Sequence, residues 1–426
     1  MLRATLTLTL ASFGAAILWI RAQPAPLDTP YLGSRDCRPC HEDVHRAWRG
    51  SQHTKMMRPA TAEVVVADLD PEHPDLLFDP AEVVWAIGGK WEQQFMGHDG
   101  ATETLLPGAW LVERGEWLRK GWDGWEVPVP LQRCHGCHTV GLDVEDGSFV
   151  EPNIGCESCH GPGRWHAWTS GIGRIQSTAD PQVCGQCHTR GTSPTGEFHF
   201  PVGYKPGLDL TESFVADQPT LGQTSATWWG NGRERKRHQQ FAAWGQGGHA
   251  NSLASLRDGY DGRYGTVTEE CLACHAGDHI LSSGLRRPGV EEAEHGITCA
   301  VCHNVHGELD RPRMECGDCH QGGAFYHRPE LNDAHVACPA EAGVDCVGCH
   351  MPRVILNGGE FVMHSHAPGI VRPEEAARWD MPSSCANGGC HAGLTREELA
   401  VRFRAHYGGD YASALRAHEP ASGSAP

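Results

Sequence analysis

The sequence predicts a mainly α-helical fold with extensive irregular loops and one small antiparallel β insertion near residues 82–130. Three observations lead there. Gly and Pro make up about one residue in five of the 426, which interrupts regular structure and leaves short helices between loops. The chain carries 19 Cys and 27 His, far beyond what packing needs. The Cys-free stretch between Cys40 and Cys134 contains "EVVWAIGGKWEQQFMGHDGATETLLPGAWLVERGEWLRKGWDGWEVPV", whose alternating apolar and polar residues with Gly turns read as paired strands.

At the N-terminus, Arg3 precedes an apolar stretch from Ala4 to Ile20 and a Pro-containing exit after Ala22. Residues 1–22 therefore read as a secretory signal peptide, with an uncleaved membrane anchor as the alternative. Either reading exports the body of the chain to the periplasm or the cell exterior. A net charge of −18 excludes a general nucleic-acid binder and favours partners with basic surfaces. The one basic run, "RERKRH" from Arg233 to His238, reads as a solvated helix face, or else as a docking patch or a partner for haem propionates.

The cysteines explain themselves by spacing. Eight pairs are each followed at once by a histidine: Cys37 and Cys40 by His41, Cys134 and Cys137 by His138, Cys156 and Cys159 by His160, Cys184 and Cys187 by His188, Cys271 and Cys274 by His275, Cys299 and Cys302 by His303, Cys316 and Cys319 by His320, and Cys346 and Cys349 by His350. In C-x-x-C-H two thiols add across the vinyl groups of one porphyrin, and the next imidazole lies under the iron as proximal ligand. Zinc sites do not require His after every second Cys, and redox dithiol motifs do not recur in this number. The cofactor read from this pattern is haem c.

A ninth site is read in "CANGGCH", where Cys385, Cys390 and His391 keep the order with a longer, turn-forming gap; a Cys385–Cys390 disulfide is the alternative and would leave eight haems. Cys338 is left over as a buried thiol, a crosslink or a sulfur ligand.

About 45 residues per haem is too little protein to insulate each porphyrin, so the expected core is packed with haems. The expected organisation is an N-terminal module at 31–190 with four haem sites and the β insertion, a haem-free connecting segment at 191–270, a C-terminal module at 271–400 with five sites, and a disordered tail at 419–426.

The remaining histidines decide the chemistry, because a bis-His iron exchanges electrons but has no open position for a substrate. His53 and His249 share a Trp-x4-His pattern with Trp48 and Trp244. His166 and His306 follow proximal His160 and His303 too closely to serve the same iron. His295 and His335 precede motifs, and His364 and His366 form a close pair that supplies one ligand. His45, His98, His135, His199, His238, His279 and His327 are reserves.

The strings "YLGSRDCRPCHEDVHRAWRGSQHTKMM", "IGCESCHGPGRWH", "CGQCHTRG", "HGITCAVCHNVHG" and "CVGCHMPR" resemble the multihaem cytochromes c related to the tetrahaem cytochrome of ammonia oxidisers and to octahaem hydroxylamine-oxidoreductase-like proteins, over about residues 31–400. The resemblance implies distal roles for His53 and His166, a β-hairpin insertion where the strand pattern falls, and a last motif after CHMP. The chain departs from nitrite-reducing relatives in having no C-x-x-C-K, and spacing nominates no tyrosine for a haem crosslink.

These readings combine into an exported cytochrome that passes electrons through closely packed, mostly bis-His haems between donor and acceptor proteins, with no catalytic residue assigned. The alternatives are an oxidoreductase acting on a small nitrogen or sulfur compound at one five-coordinate haem, and a subunit of an extracellular haem filament. Membrane contact is expected only through an uncleaved N-terminus.

Overall fold

The structure, a computed structural model, describes residues 29–99, 102–118, 130–171, 173, 175–176, 179–258, 266–282, 284, 287–307, 313–320, 346–357, 360–387, 391 and 393–407. The N-terminal signal or anchor segment, the tail at 419–426, His335, Cys338 and Cys390 lie outside the described residues. Among the described residues, no helix is long and apolar enough to cross a membrane. The chain forms two compact units: one of Met1–Thr178, Gly191–Val215 and Asn304–Arg311, the other of Ala179–Arg190, Ala216–His303 and Pro312–Pro426.

Helices are short, as the Gly and Pro content predicts. The haem motifs start on helices such as Ser34–Cys37, Cys156–His160, Gln182–His188, Glu269–His275, Cys299–Cys302 and Cys346–His350, none longer than 7 residues. Segments of this length are not stable alone. The longest described helix, Arg396–Tyr407 with 12 residues, occupies the C-terminal stretch "REELAVRFRAHY".

In the first unit the strand pattern becomes a six-stranded antiparallel sheet: β1 Arg58–Pro59, β2 Val83–Gly88, β3 Glu92–Asp99, β4 Thr102–Leu105, β5 Ala109–Leu111 and β6 Glu116–Leu118, in the order β1-β2-β3-β5-β6 with β4 also on β3. Alternation drives it, since Val83, Ala86 and Phe95 bury one face with Leu106, Trp110 and Trp117, while Trp85, Met96 and Leu105 bury the other with Met57. Gly97 on β3 has a structural reason: a Cβ there would sit 2.2 Å from the Glu82 carbonyl oxygen. The buried Gln93 side chain accepts from the Val66 and Ala67 amides at 2.8 and 3.2 Å and donates to the Val64 carbonyl at 2.9 Å, so its burial leaves no amide unsatisfied.

The second unit has smaller apolar clusters. Trp229, Val354, Val371, Ala376 and Met381 form one, and Leu253, Leu272, Ala276 and Ala293 another. An antiparallel hairpin, Arg353–Asn357 with Glu360–His364, was not expected from the sequence.

The basic run Arg233–His238 corrects an expectation: it is neither a helix nor a solvated face. It is extended, bridging Trp228 to Glu234 and Lys236 to Leu356. Its side chains are used inside the unit. The Arg233 guanidinium donates to Ser365 Oγ, Ala367 O and Gly369 O. Fully buried Glu234 accepts from Ser365 Oγ and the His366 amide, and Arg235 lies 5.0 Å over the Trp229 ring. Alternating extended geometry, not a 3.6-residue period, explains why a charge-rich string turns inward.

Candidate haem sites

A short helix through C-x-x-C puts its two sulfurs one turn apart on the same face, and the helix ends at or beside the histidine. The second motif departs from this pattern. Cys134 and Cys137, read from the sequence as one attachment pair, do not share a regular helix: Cys134 lies in the π-helical segment Leu131–His135, and Cys137 in the single turn Gly136–His138 that follows. Cys134 is buried and Cys137 half-buried. Desolvation, and then the neighbouring Cys137, push the Cys134 thiol up to about 12, which keeps it protonated.

Five of the motif histidines meet a second imidazole. In the first unit, the His41 and His166 ring centroids are 6.2 Å apart with planes 22° from parallel, and those of His160 and His306 6.0 Å apart at 14°. In the second, His188 faces His238 at 6.4 Å and 27°, His303 faces His366 at 6.0 Å and 27°, and His320 faces His249 at 6.2 Å and 61°.

These separations test whether the residues fit an iron porphyrin. Direct ring stacking brings aromatic planes closer than this, whereas a metal–nitrogen bond of about 2 Å on each side, plus roughly 1 Å from nitrogen to ring centre, puts two trans imidazoles about 6 Å apart. The residues fit the group.

Tautomers agree. The Nδ1 of His160 lies 2.8 Å from Gln176 O, that of His166 2.8 Å from Gly173 O, that of His366 3.1 Å from His364 O and that of His238 3.2 Å from Cys187 O. A carbonyl only accepts, so each Nδ1 carries the proton and Nε2 keeps the lone pair that binds metal. Burial pushes the pKa of His249, His303 and His366 down, the last to about 3, and so favours the neutral, ligating form. His238 is also held well below its usual value, by desolvation and then by Arg237.

Thiols of different motifs also meet. The Cys37 thiol neighbours that of Cys156, Cys184 neighbours Cys299, and Cys274 neighbours Cys319. Each such pair would carry two different porphyrins, so the attachment edges of those porphyrins would be neighbours.

Of the distal histidines read from the sequence, His166, His249, His306 and His366 face a motif histidine as given above. His53 lies in the turn His53–Lys55. His295 is half-buried, its carbonyl accepting from the Gly277 amide at 2.9 Å. The Nδ1 of His364 bonds the Met351 carbonyl, and its Nε2 is 3.4 Å from Arg353 Nε. His238 was only a reserve in the sequence reading. Its signal was hidden because it sits at φ 62° at the end of a run read as surface charge. Cys385 lies on the helix Ser384–Asn387, where Ser384 Oγ donates to Cys349 O at 2.8 Å, beside the eighth motif; His391 is half-buried.

Carboxylates hold the segments that carry these histidines. Glu157, inside the third motif, accepts from the amides of Leu32 (3.0 Å), Gly33 (2.7 Å) and Gly163 (2.6 Å). Leu32 and Gly33 lead into the helix of Cys37, and Gly163 caps the helix of His166. Glu157→Ala would strand three amides at a site only 3% exposed. It is expected to lower the stability of the holoprotein by about 3 kcal/mol or more, read as a shift in denaturant midpoint.

Ring orientation gives a second expectation. Four of the imidazole pairs are within 27° of parallel, and His249/His320 stands at 61°. Near-parallel axial planes split the iron d orbitals and give rhombic low-spin ferric signals; crossed planes leave them nearly degenerate. The oxidised protein should therefore show one highly anisotropic low-spin component, lost in His249→Ala, beside rhombic components that the substitution leaves in place.

The family model described as cytochrome c554 and c-prime matches residues 120–161 and 235–304. The crystal structure of the outer cell wall cytochrome OcwA is similar, with a TM-score of 0.75 and 26% identity over 88% of this chain and 87% of that one. An undecahaem cytochrome from the S-layer of Carboxydothermus ferrireducens has a TM-score of 0.53 and 20% identity over 89% of this chain, which spans 60% of that longer protein. No curated protein is significantly similar to the chain.

Proposed function

We propose that this chain, a multihaem cytochrome c, is an exported electron wire that passes electrons through mostly bis-His haems between a donor and an acceptor protein. The observation that carries the reading is the set of five imidazole pairs with centroids 6.0–6.4 Å apart. Haem supplies one-electron transfer at iron; the chain's part is to supply both axial nitrogens, hold their tautomers and exclude other ligands. Two imidazoles holding one iron would leave no position for a substrate, which suits transfer rather than turnover. The neighbouring thiols of Cys37 and Cys156, Cys184 and Cys299, and Cys274 and Cys319 support short porphyrin-to-porphyrin steps.

The proposed complement is nine haems c, the ninth on Cys385, Cys390 and His391. Export is supported by the signal pattern in the sequence and by the cell-wall and S-layer origins of the two similar structures. The acidic net charge of −18 supports redox partners with basic surfaces. Intact mass of the mature protein tests the count, at about 0.6 kDa per haem. An increment of eight haems sends Cys385 back to the disulfide reading, and none at all removes the wire.

One observation favours a second reading, catalysis on a small nitrogen or sulfur compound. His138, which follows Cys137, has its Nδ1 on the Met56 carbonyl at 2.9 Å. Beside it, buried His135 has its Nε2 2.7 Å from Glu103 Oε2, an imidazole–carboxylate pair next to a motif histidine. A high-spin ferric signal that shifts on adding nitrite or sulfite would establish that reading, and an entirely low-spin spectrum would end it.

A further inference from the structure

We infer that the chain repeats one three-motif module, residues 37–160 and 184–303, in which Trp48 and Trp244 are equivalent positioning residues for the haems of each copy. The inference rests on the haem reading above. It starts from the order of landmarks. Each copy runs C-x-x-C-H (Cys37 or Cys184), Trp-x4-His (Trp48–His53 or Trp244–His249), a second C-x-x-C-H (Cys134 or Cys271) and a third (Cys156 or Cys299).

Order alone could be coincidence, but three contacts recur at matching positions. The Trp48 indole N–H donates to Ile154 O at 3.1 Å and that of Trp244 to Ile297 O at 2.9 Å; each isoleucine stands two residues before the first Cys of its third motif. Three residues beyond each Trp-x4-His histidine, a carbonyl accepts from the second motif's proximal imidazole: Met56 O from His138 Nδ1 at 2.9 Å, and Ser252 O from His275 Nδ1 at 3.3 Å. The first Cys of the first motif meets the first Cys of the third, Cys37 with Cys156 and Cys184 with Cys299.

These coincidences are not forced by local sequence. Between the accepting carbonyl and the second motif, one copy has 77 residues that include the whole of β2–β6, whereas the other has 18. Between the first motif and the tryptophan the imbalance runs the other way. Contacts that survive such unequal spacing are the part of the module under constraint.

The chemistry of the constraint follows. Each tryptophan lies on a short helix, Glu42–Arg49 or Gln240–Gly245, and its N–H pins the helix to the segment leading into the third motif. The chain then turns through the histidine and delivers a carbonyl to the second motif's imidazole. A carbonyl on Nδ1–H makes Nε2 a stronger donor to ferric iron and lowers the potential. Each indole therefore acts through the backbone on a haem it does not ligate.

The test uses holoprotein carrying Trp48→Phe, Trp244→Phe or both. Each single variant should keep its full haem mass and raise the potential of one haem, with about a tenfold shift in its reduction equilibrium, or roughly 59 mV for one electron. The double variant should show both shifts. Should a phenylalanine variant fail to accumulate, benzothienylalanine at the same position keeps the bicyclic shape and removes only the N–H. Potentials that move for one tryptophan but not the other, or a fall in melting temperature with every potential unmoved, overturn the inference. Wild-type protein lacking haem at these motifs would instead sink the haem reading beneath it.

Discussion

His306→Met is expected to raise the potential of the haem on Cys156 and Cys159 by roughly 0.1–0.2 V, within the ~0.8 V that axial ligation spans. The His160 and His306 ring centroids are 6.0 Å apart with planes 14° from parallel, the separation expected of two imidazoles that would share one iron. A thioether donates less to ferric iron than an imidazole with a free Nε2, and a Met/His pair therefore favours the ferrous state. At 59 mV per decade, such a haem would hold an electron roughly 50- to 2,500-fold more strongly than before. Throughput across the protein should fall as the electron rests there. Spectroelectrochemical titration would resolve one component moved upward, and steady-state transfer from a small reductant to an excess oxidant would measure the slowing. The same change at His73, far from any motif in the sequence, should move nothing. An unaltered titration for His306→Met would remove His306 from the ligand set.

The sequence made the motifs legible because covalent attachment is a local requirement: two thiols and an imidazole must fall within five residues whatever the rest of the chain does. What spacing does not carry is the local backbone, so the break between Cys134 and Cys137, with a π-helical segment before it, was invisible in a motif that reads like the other seven. Opposing histidines are a tertiary requirement, so only those near another motif stood out. His166 and His306 declared themselves by following His160 and His303 too closely to serve the same iron. His249 stood out through its tryptophan. His238, at positive φ in a charged run, did not, because its part depends on an extended strand pairing with Leu356 that composition cannot reveal. The sheet was legible from β2 to β6, where alternation is strong, but β1 is only Arg58–Pro59 and too short to carry a period. The hairpin Arg353–His364 was missed for a related reason: "RVILNGGEFVMH" follows directly on a haem motif, and its strands read as linker.

Expressed without haem attachment, the chain is expected to lose its motif helices while keeping the sheet. The argument is one of core size. In the first unit Val83, Ala86, Phe95, Leu106, Trp110 and Trp117 bury one another, with Phe78 against Trp117 at 5.6 Å and Trp110 against Trp117 at 5.7 Å. Aromatic packing of this kind, on a sheet of more than three strands, sustains itself in water. The helices Cys156–His160, Cys299–Cys302 and Cys346–His350 are 5, 4 and 5 residues long, below any length that holds by propensity. Their cysteines are half-buried or exposed rather than packed in apolar clusters, so the porphyrin is the surface against which they would fold. With each motif Cys replaced by Ser, limited proteolysis should cut rapidly around residues 156–160, 299–303 and 346–350 and spare 83–118, with most helical circular dichroism lost. A single cooperative transition retaining the helical signal would mean that the second unit's clusters around Trp229 and Leu272 suffice without haem. The chain would then be a scaffold that accepts its cofactors rather than one that folds around them.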